Sequence, residues 1–240
     1  MKVDALVRKY PILYHMAEEP NWPGILERGL LSTSSLLDLY GYDGEARAAI
    51  ESRFRREKVT INRAGFPPVV IRDQKPLDPL DLAPLLPSGM TTVDWYRLIN
   101  GKVFFWAEWY RLEWLLGARA YRGYPHVVIK IDSQVLLERC GSGTTLTSIN
   151  SGSALRSTSG ARAPSRGPHT FQSIAAFDAN RSVVEVAVDG RVEDVRSVAR
   201  SAELWTKNSR DEPAALLRSL WTAAPADTGQ ATATPGISSV

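Results

Sequence analysis

The alternation of apolar and polar residues along the chain predicts a fold that mixes strands with short helices. Pro11–Met16 is an apolar run of strand formers, and Asn21–Gly29 combines a helix-capping residue, an early proline and a final glycine. These segments predict a first strand followed by a short helix. Further strands are predicted at 59–61, 69–72, 103–106, 126–131 and 182–189, and further helices at 45–57, 92–98, 109–116, 133–139 and 213–221.

Some segments are predicted from turn residues and composition instead. Val192–Val198 is expected to pair with the strand before it through a turn at Asp189-Gly190. Prolines predict sparse secondary structure in 75–90, and the stretch 148–168, rich in glycine, serine, arginine and proline, predicts an irregular loop. Residues 222–240 predict a disordered tail, so residues 1–221 are expected to form a single domain.

Composition narrows the class of protein. The chain has 240 residues, 44% of them hydrophobic, which is enough for a buried core. No apolar run reaches the roughly 18 residues of a membrane helix and no signal-peptide core is present, so a cytoplasmic protein without membrane contact is predicted. One cysteine and three scattered histidines give no metal-ligand spacing, and no metal is expected. The sequence contains no phosphate-binding glycine motif and no nucleophile elbow.

Two polar residues interrupt apolar strands. Strand alternation places Glu185 on one face with Val183 and Ala187. Glu185 is therefore either a carboxylate on a solvated sheet face or a base or electrostatic stabiliser at the floor of a cleft. His15 interrupts the first strand in the same way, as a hydrogen-bonded core histidine or as a functional one.

Three further candidates for the site can each be interpreted either as functional residues or as ordinary packing or surface residues. Arg72 ends a strand, where it either reaches solvent or clamps a phosphate. Tyr14 is most simply a core residue. The aromatic residues of 104–110 are mostly expected in packing, with one ring available to stack on a base or a nicotinamide.

The segment Tyr14–Ser32, YHMAEEPNWPGILERGLLS, resembles the first strand and helix of DarT-type ADP-ribosyltransferases, which begin with a similar Y-H…N-x-P-x-I-L-x-x-G-L-L-S pattern. Val103–Trp106 looks like their aromatic strand, and Val184–Val188 looks like the strand that carries their catalytic glutamate. The resemblance implies an α+β fold with an ADP-ribosyltransferase-like two-sheet core, surface helices and a cleft between the sheets. It also implies a toxin-type enzyme that uses NAD as co-substrate without a metal.

The resemblance assigns roles to residues of this chain. Glu185 and Arg72 would be catalytic, whereas His15, Tyr14 and Phe105 would bind the cofactor, with His15 on its ribose. The loop before the glutamate strand would recognise the acceptor through Arg162 and Arg166. The sequence departs from the family at Ala17, where a threonine is usual, and at Val183, where arginine-modifying toxins carry a second acid.

Clusters of Lys and Arg residues suggest that nucleic acid is the acceptor of the ADP-ribose. Residues 47–63 hold six Lys or Arg residues against two Glu residues, and the loop 148–181 adds four arginines against one aspartate. Such clusters are typical of surfaces that bind phosphate backbones, although arginines on an amphipathic helix can simply face water. We therefore expect an NAD-dependent ADP-ribosyltransferase with single-stranded nucleic acid as the leading acceptor. The alternative is a non-catalytic nucleotide-binding or interaction module on the same fold; the sequence sets no expectation for the oligomeric state.

Overall fold

Strands and short helices alternate along the chain. The computed structural model describes residues 1–155 and 163–224. The strands are β1 (Ile12–Glu18), β2 (Leu30–Leu31), β3 (Val59–Ile61), β4 (Val69–Ile71), β5 (Lys102–Trp106), β6 (His126–Asp132), β7 (Thr144–Thr147), β8 (Gln172–Ser173), β9 (Glu185–Asp189), β10 (Arg191–Val192), β11 (Ala199–Thr206) and β12 (Ala215–Thr222). The helices are α1 (Val3–Lys9), α2 (Trp22–Arg28), α3 (Thr33–Tyr40), α4 (Gly44–Glu51), α5 (Pro79–Leu82), α6 (Thr92–Asn100), α7 (Trp109–Leu116), α8 (Ser133–Cys140) and α9 (Val195–Val198).

Eight of the strands form one antiparallel sheet in the order β12-β11-β6-β1-β5-β9-β7-β8. β1 pairs with β6 over seven residues and β5 pairs with β9 over five. Between β1 and β5, by contrast, only Tyr14 and Trp106 are paired in the described part of the chain. The sheet therefore consists of two four-stranded halves, and a wedge opens between residues 15–18 of β1 and residues 102–105 of β5.

One apolar core spans both half-sheets. Leu13 and Ile129 from the first half are buried with Phe105 and Val186 from the second, and α8 adds Leu136. Burial of each side chain of this size contributes about 1.5 to 3 kcal/mol. The shared core therefore holds the halves together where their backbones do not pair.

The other faces of the two half-sheets have separate cores. α7 packs Leu112 and Leu116 against Met16 of β1, because alternate residues of a strand point to opposite faces. In the second half, Trp95 of α6 lies in a cluster that Phe104 of β5 covers. These helices are the surface helices of an α+β fold, so that part of the prediction is confirmed.

Capping residues set the start of two helices. Thr91 caps α6 through a reciprocal capping box: its hydroxyl accepts from the Asp94 N–H at 3.2 Å, and Asp94 accepts from the Thr91 N–H at 2.8 Å. α8 is capped by Asp132, whose side chain accepts from the Val135 N–H.

Two predicted elements are wrong. Residues 213–221 do not form a helix, because 215–222 pair as β12 with the free edge of β11 and satisfy its backbone groups there. Val192–Val198 does not pair with β9: β10 pairs with β2, and a short helix follows. In addition, α4 ends at Glu51 rather than at Glu57.

The edge strand β12 is irregular. Its pairing with β11 has register shifts between Ala202 and Glu203 and between Leu204 and Trp205. Thr222 ends this strand, and residues 225–240 of the predicted tail lie outside the described residues. Within the described ranges, no helix has the length and apolar character needed to span a bilayer.

Gly29 allows a close backbone contact where α2 leads into β2. It ends α2 with φ +82°, and a Cβ atom there would lie 2.1 Å from the carbonyl oxygen of Val192. This contact is tight because the adjoining strand β2 pairs with β10. No side chain fits there without moving backbone.

We expect Gly29→Ala to lower the free energy of unfolding by on the order of 3 kcal/mol, since it adds a backbone clash to an unfavourable φ. Gly41→Ala is the matched control: its φ is +72°, but nothing lies within 4 Å of the added Cβ. It should cost about 1 kcal/mol. Urea unfolding measures both, and equal losses would show that the close contact is unimportant.

Candidate functional site

The wedge between the half-sheets continues into a cleft of about 1060 Å³. His15 and Phe105 line it from the two sides of the wedge, and Arg72 and Glu185 line it as well. In the described part of the chain, eight Lys or Arg side chains line the cleft against three Asp or Glu. A cleft of this size and charge suits an anionic ligand as large as a nucleotide.

His15 lies where β1 leaves β5. Its Nδ1 is 2.8 Å from the carbonyl oxygen of Phe104, so the side chain spans the gap between the two strands. Burial, together with the positive charge of Arg72, lowers the pKa of His15 to about 4, although the bond to Phe104 opposes this. The ring is therefore neutral at pH 7. Because Nδ1 must donate to the carbonyl, Nε2 is left as a hydrogen-bond acceptor.

Glu185 is the first residue of β9, and it pairs with Trp106 on one side and Thr147 on the other. It is only 4% exposed, so the interpretation as a solvated strand face is wrong. Burial raises its pKa to about 7, opposed by hydrogen bonds from Ser151 and by the charges of Arg166 and Arg111. A carboxyl with this pKa can hold or release a proton near neutral pH.

Arg72 follows β4 and lies close to His15. Its guanidinium carbon is 5.6 Å from the centroid of the Tyr121 ring, and it forms no ion pair within the described residues. Its charge lowers the pKa of His15, as expected for a cation close to that ring. The structure therefore brings Arg72, His15 and Glu185 to one cleft.

Arg55 holds the backbone that carries Arg72. It is 7% exposed, its Nε donates to the Arg72 carbonyl at 3.1 Å, and its Nη2 donates to Asn100 Oδ1 at 3.1 Å. The Gln74 N–H in turn donates to the Arg55 carbonyl at 2.7 Å. Burial lowers the pKa of Arg55 to about 10, which leaves it charged at pH 7. In the sequence Arg55 is one of several clustered cations, and no local signal distinguishes its supporting role.

Two cofactor-binding predictions need correction. Tyr14 does not line the cleft; its ring packs edge-on against Trp109, with the centroids 5.6 Å apart. Phe105 reaches the cleft wall but is fully buried behind His15, with ring centroids 5.7 Å apart, so it has no free face to stack on a ligand. Both residues therefore contribute packing contacts next to the cleft, Tyr14 with Trp109 and Phe105 with His15.

The predicted acceptor-binding residues are also placed differently. Arg166 is 1% exposed, and its guanidinium donates to backbone carbonyls, so it presents no charge at the surface. Arg162 lies outside the described residues.

The cationic stretch 47–63 is largely neutralised. Arg47 pairs with Glu51 at 2.8 Å, and Lys58 pairs with Glu18 at 2.7 Å. Arg53 pairs with Glu45, and Arg55 is buried as described above. Four of the six cations of this stretch are therefore paired or buried, and Arg56 and Arg63 are the exposed ones without an ion pair among the described residues.

A different basic and aromatic surface lies at the cleft mouth. Tyr110 and Trp114, four residues apart on α7, form an edge-on ring pair, and Trp114 is 69% exposed. The guanidinium of Arg111 lies 4.9 Å from the Tyr110 ring, and Arg119 and Arg210 line the same cleft as Trp114. We call these five residues the rim. The helical spacing of 110 and 114 was visible in the sequence, but apolar packing explained it equally well.

The comparisons with known proteins add one finding. A family model described as a family of unknown function (DUF7002) matches residues 11–199. The matched range includes His15, Arg72 and Glu185. No curated protein matches the chain.

The buried carboxyl of Glu185 makes stability depend on pH. Its pKa is about 7 in the folded protein against an ordinary value of 4.5, so folding favours the protonated form. The contribution of Glu185 to the free energy of unfolding is fully present below about pH 4.5 and is lost as the pH rises through about 7. The total loss is up to about 3 kcal/mol.

Glu185→Gln removes the charge and keeps the shape. We expect it to be more stable than the wild type at pH 8 and about equal at pH 4.5, in urea unfolding at both pH values. Glu203→Gln is the control with opposite sign: burial opposes, but hydrogen bonds from Lys130 and Trp205 lower the pKa of Glu203. It should lose stability at pH 8. A Glu185→Gln protein that is weaker than wild type at pH 8 would contradict the assignment.

Proposed function

Because the chain belongs to DUF7002, a family of unknown function, the chemistry of the cleft has to decide its activity, and we propose that the protein is an NAD-dependent ADP-ribosyltransferase. It releases nicotinamide and transfers ADP-ribose to an acceptor. The observation that carries this proposal is the meeting, in one cationic cleft, of a buried carboxyl with a pKa near 7, a neutral histidine and an arginine that has no ion pair among the described residues.

The charge of the cleft supports a dinucleotide as ligand. The pyrophosphate of NAD carries two negative charges, and Arg72, which forms no ion pair in the described ranges, offers a forked donor for it. The volume of about 1060 Å³ is sufficient for a ligand of this size.

The wedge supports the placement of the nicotinamide riboside. His15 Nε2 can accept a hydrogen bond from a ribose hydroxyl, because Nδ1 is occupied by Phe104. Where β1 and β5 separate, their facing edges can pair with the carboxamide of nicotinamide as a further strand would. The resemblance of Tyr14–Ser32 to the first strand and helix of DarT-type enzymes supports the same orientation.

Glu185 fits both chemical steps of the transfer. In the first, the bond between ribose C1′ and the nicotinamide nitrogen breaks, and its electron pair leaves with nicotinamide. The ribose becomes positively charged, and the carboxylate of Glu185 stabilises it from the 2′-hydroxyl side. In the second, an acceptor nitrogen or oxygen bonds to C1′ and its proton passes to Glu185, which a pKa of about 7 permits.

The rim supports single-stranded nucleic acid as the acceptor. Exposed aromatic rings beside arginines are typical of surfaces on which bases stack while cations hold the phosphates. Tyr110, Trp114 and Arg111 meet this description at the mouth of the cleft. The acceptor surface is thus proposed on α7, in place of the stretch 47–63.

A non-catalytic nucleotide-binding module is the second candidate. Ala17, which stands where the resembled family usually has a threonine, is 6% exposed and has no side-chain hydrogen bond to offer a cofactor. Such a module would bind NAD in the same cleft without breaking it.

Incubation with NAD tests the activity. We expect nicotinamide release and label transfer to single-stranded DNA or RNA, with a rate that rises as the pH passes through about 7 and Glu185 ionises. Glu185→Gln should lower the rate at least about a hundredfold, because it removes the stabilising charge. Calorimetry should still show NAD binding to this variant.

The outcomes separate the candidates. NAD binding without nicotinamide release under every condition would favour the module, and absence of NAD binding would reject both. A Glu185→Gln protein with full activity would remove the catalytic assignment.

The rim is tested by separating transfer from nicotinamide release. Trp114→Ala should lower transfer to single-stranded nucleic acid at least about fivefold more than it lowers release, because a lost base stack costs about 1 to 3 kcal/mol. Tyr124→Ala is the control, since Tyr124 is 63% exposed but does not line the cleft. Binding should also weaken steeply with salt. Equal effects of the two variants would move the acceptor surface elsewhere.

A further inference from the structure

Arg166 is a buried arginine to which the proposed reaction gives no role. Its Nη1 donates to the Pro164 carbonyl at 2.8 Å, and its Nη2 donates to the carbonyls of Asn150, at 3.3 Å, and Ser153. Its backbone N–H donates to the Leu85 carbonyl at 2.8 Å. The side chain therefore ties together 150–153 and 164–166, which lie on the two sides of residues 156–162.

The turn that Arg166 holds also carries the hydrogen-bond donor of Glu185. Ser151, 2% exposed, donates its N–H to Glu185 Oε2 at 3.1 Å. The Gly152 N–H donates to Asn150 Oδ1 at 3.0 Å, which fixes the turn internally. One short turn therefore contacts the guanidinium of Arg166 through its carbonyls and the carboxyl of Glu185 through an N–H.

We propose that Arg166 is a positioning residue for Glu185. It fixes the Asn150–Ser153 turn so that the Ser151 N–H holds the carboxylate, and its buried charge favours the ionised form of that carboxylate. The inference rests on the proposed function only for the chemical role of Glu185.

The electrostatics agree with this geometry. Arg166 forms no ion pair within the described residues, and its Nε has no hydrogen-bond partner there, so its burial is costly. Burial lowers the pKa of Arg166, and the charge of Glu185 opposes this change. Arg111 of α7 is the other cation that acts on Glu185, and Ser151 supplies the hydrogen bonds.

The experiment is a titration of Glu185 in the protein without NAD. Carbon-13 labelling of glutamate carboxyls gives the NMR signal, and Glu185→Gln identifies the resonance. Arg166→Met should raise the pKa of Glu185 by about one unit, a tenfold increase in proton affinity, because it removes both the charge and the turn contacts. Arg181→Met, an exposed arginine of the same connection, should leave the titration unchanged.

An unchanged titration in folded Arg166→Met overturns the inference, as does an equal shift in Arg181→Met. If Arg166→Met does not fold, Arg166→Lys decides, because an ammonium cannot donate in a fork to the same carbonyls. An upward shift in that variant supports the inference and an unchanged value overturns it. The titration needs no activity, so a protein without nicotinamide release would reject the proposed function alone.

Discussion

The site depends on the way the sheet is interrupted. An antiparallel sheet normally continues its ladder between neighbouring strands, yet β1 and β5 share only the pair Tyr14 and Trp106. The strands diverge from this pair, and the imidazole of His15 reaches Phe104 across the gap. Because the apolar core packs under both halves, the opening costs backbone pairing without dividing the domain. If β1 and β5 were paired along their whole length, no cleft would open here. The Phe104 carbonyl would then accept from a backbone N–H of β1 instead of from His15.

Burial then decides the charge state of each group. The same low dielectric that lowers the pKa of His15 raises that of Glu185, since both shifts favour the neutral form. Guanidinium groups respond differently, because even a lowered pKa leaves them charged. Arg55 and Arg166 therefore remain cations inside the protein and donate to backbone carbonyls. Arg55 donates to the carbonyl of Arg72 itself. Arg166, by contrast, donates to the carbonyl of Asn150, in the turn whose Ser151 N–H donates to Glu185.

Local sequence signals account for part of this arrangement. Strong strand patterns correctly located most central strands, and His15 and Glu185, which interrupt apolar strands, both line the cleft. Strand alternation also predicts that Tyr14 does not share the cleft face with His15, since adjacent residues of a strand point to opposite faces. The sequence does not predict the burial of Arg166 and Arg55, because it results from contacts between segments that are distant along the chain. The strand β12 was missed because its apolar spacing fits a helix until the edge of β11 is present.

The irregular edge at β12 has a consequence for the solubility of the protein. Leu216 and Leu217 are about half exposed on this outermost strand, an arrangement that would invite strand addition from other molecules. The register shifts twist the strand out of the flat geometry that such addition requires. A chain shortened after Ala199 would lose this protection, because β6, five of whose seven residues are buried, would become the edge. β11 and β12 thus cover the apolar edge that β6 would otherwise expose.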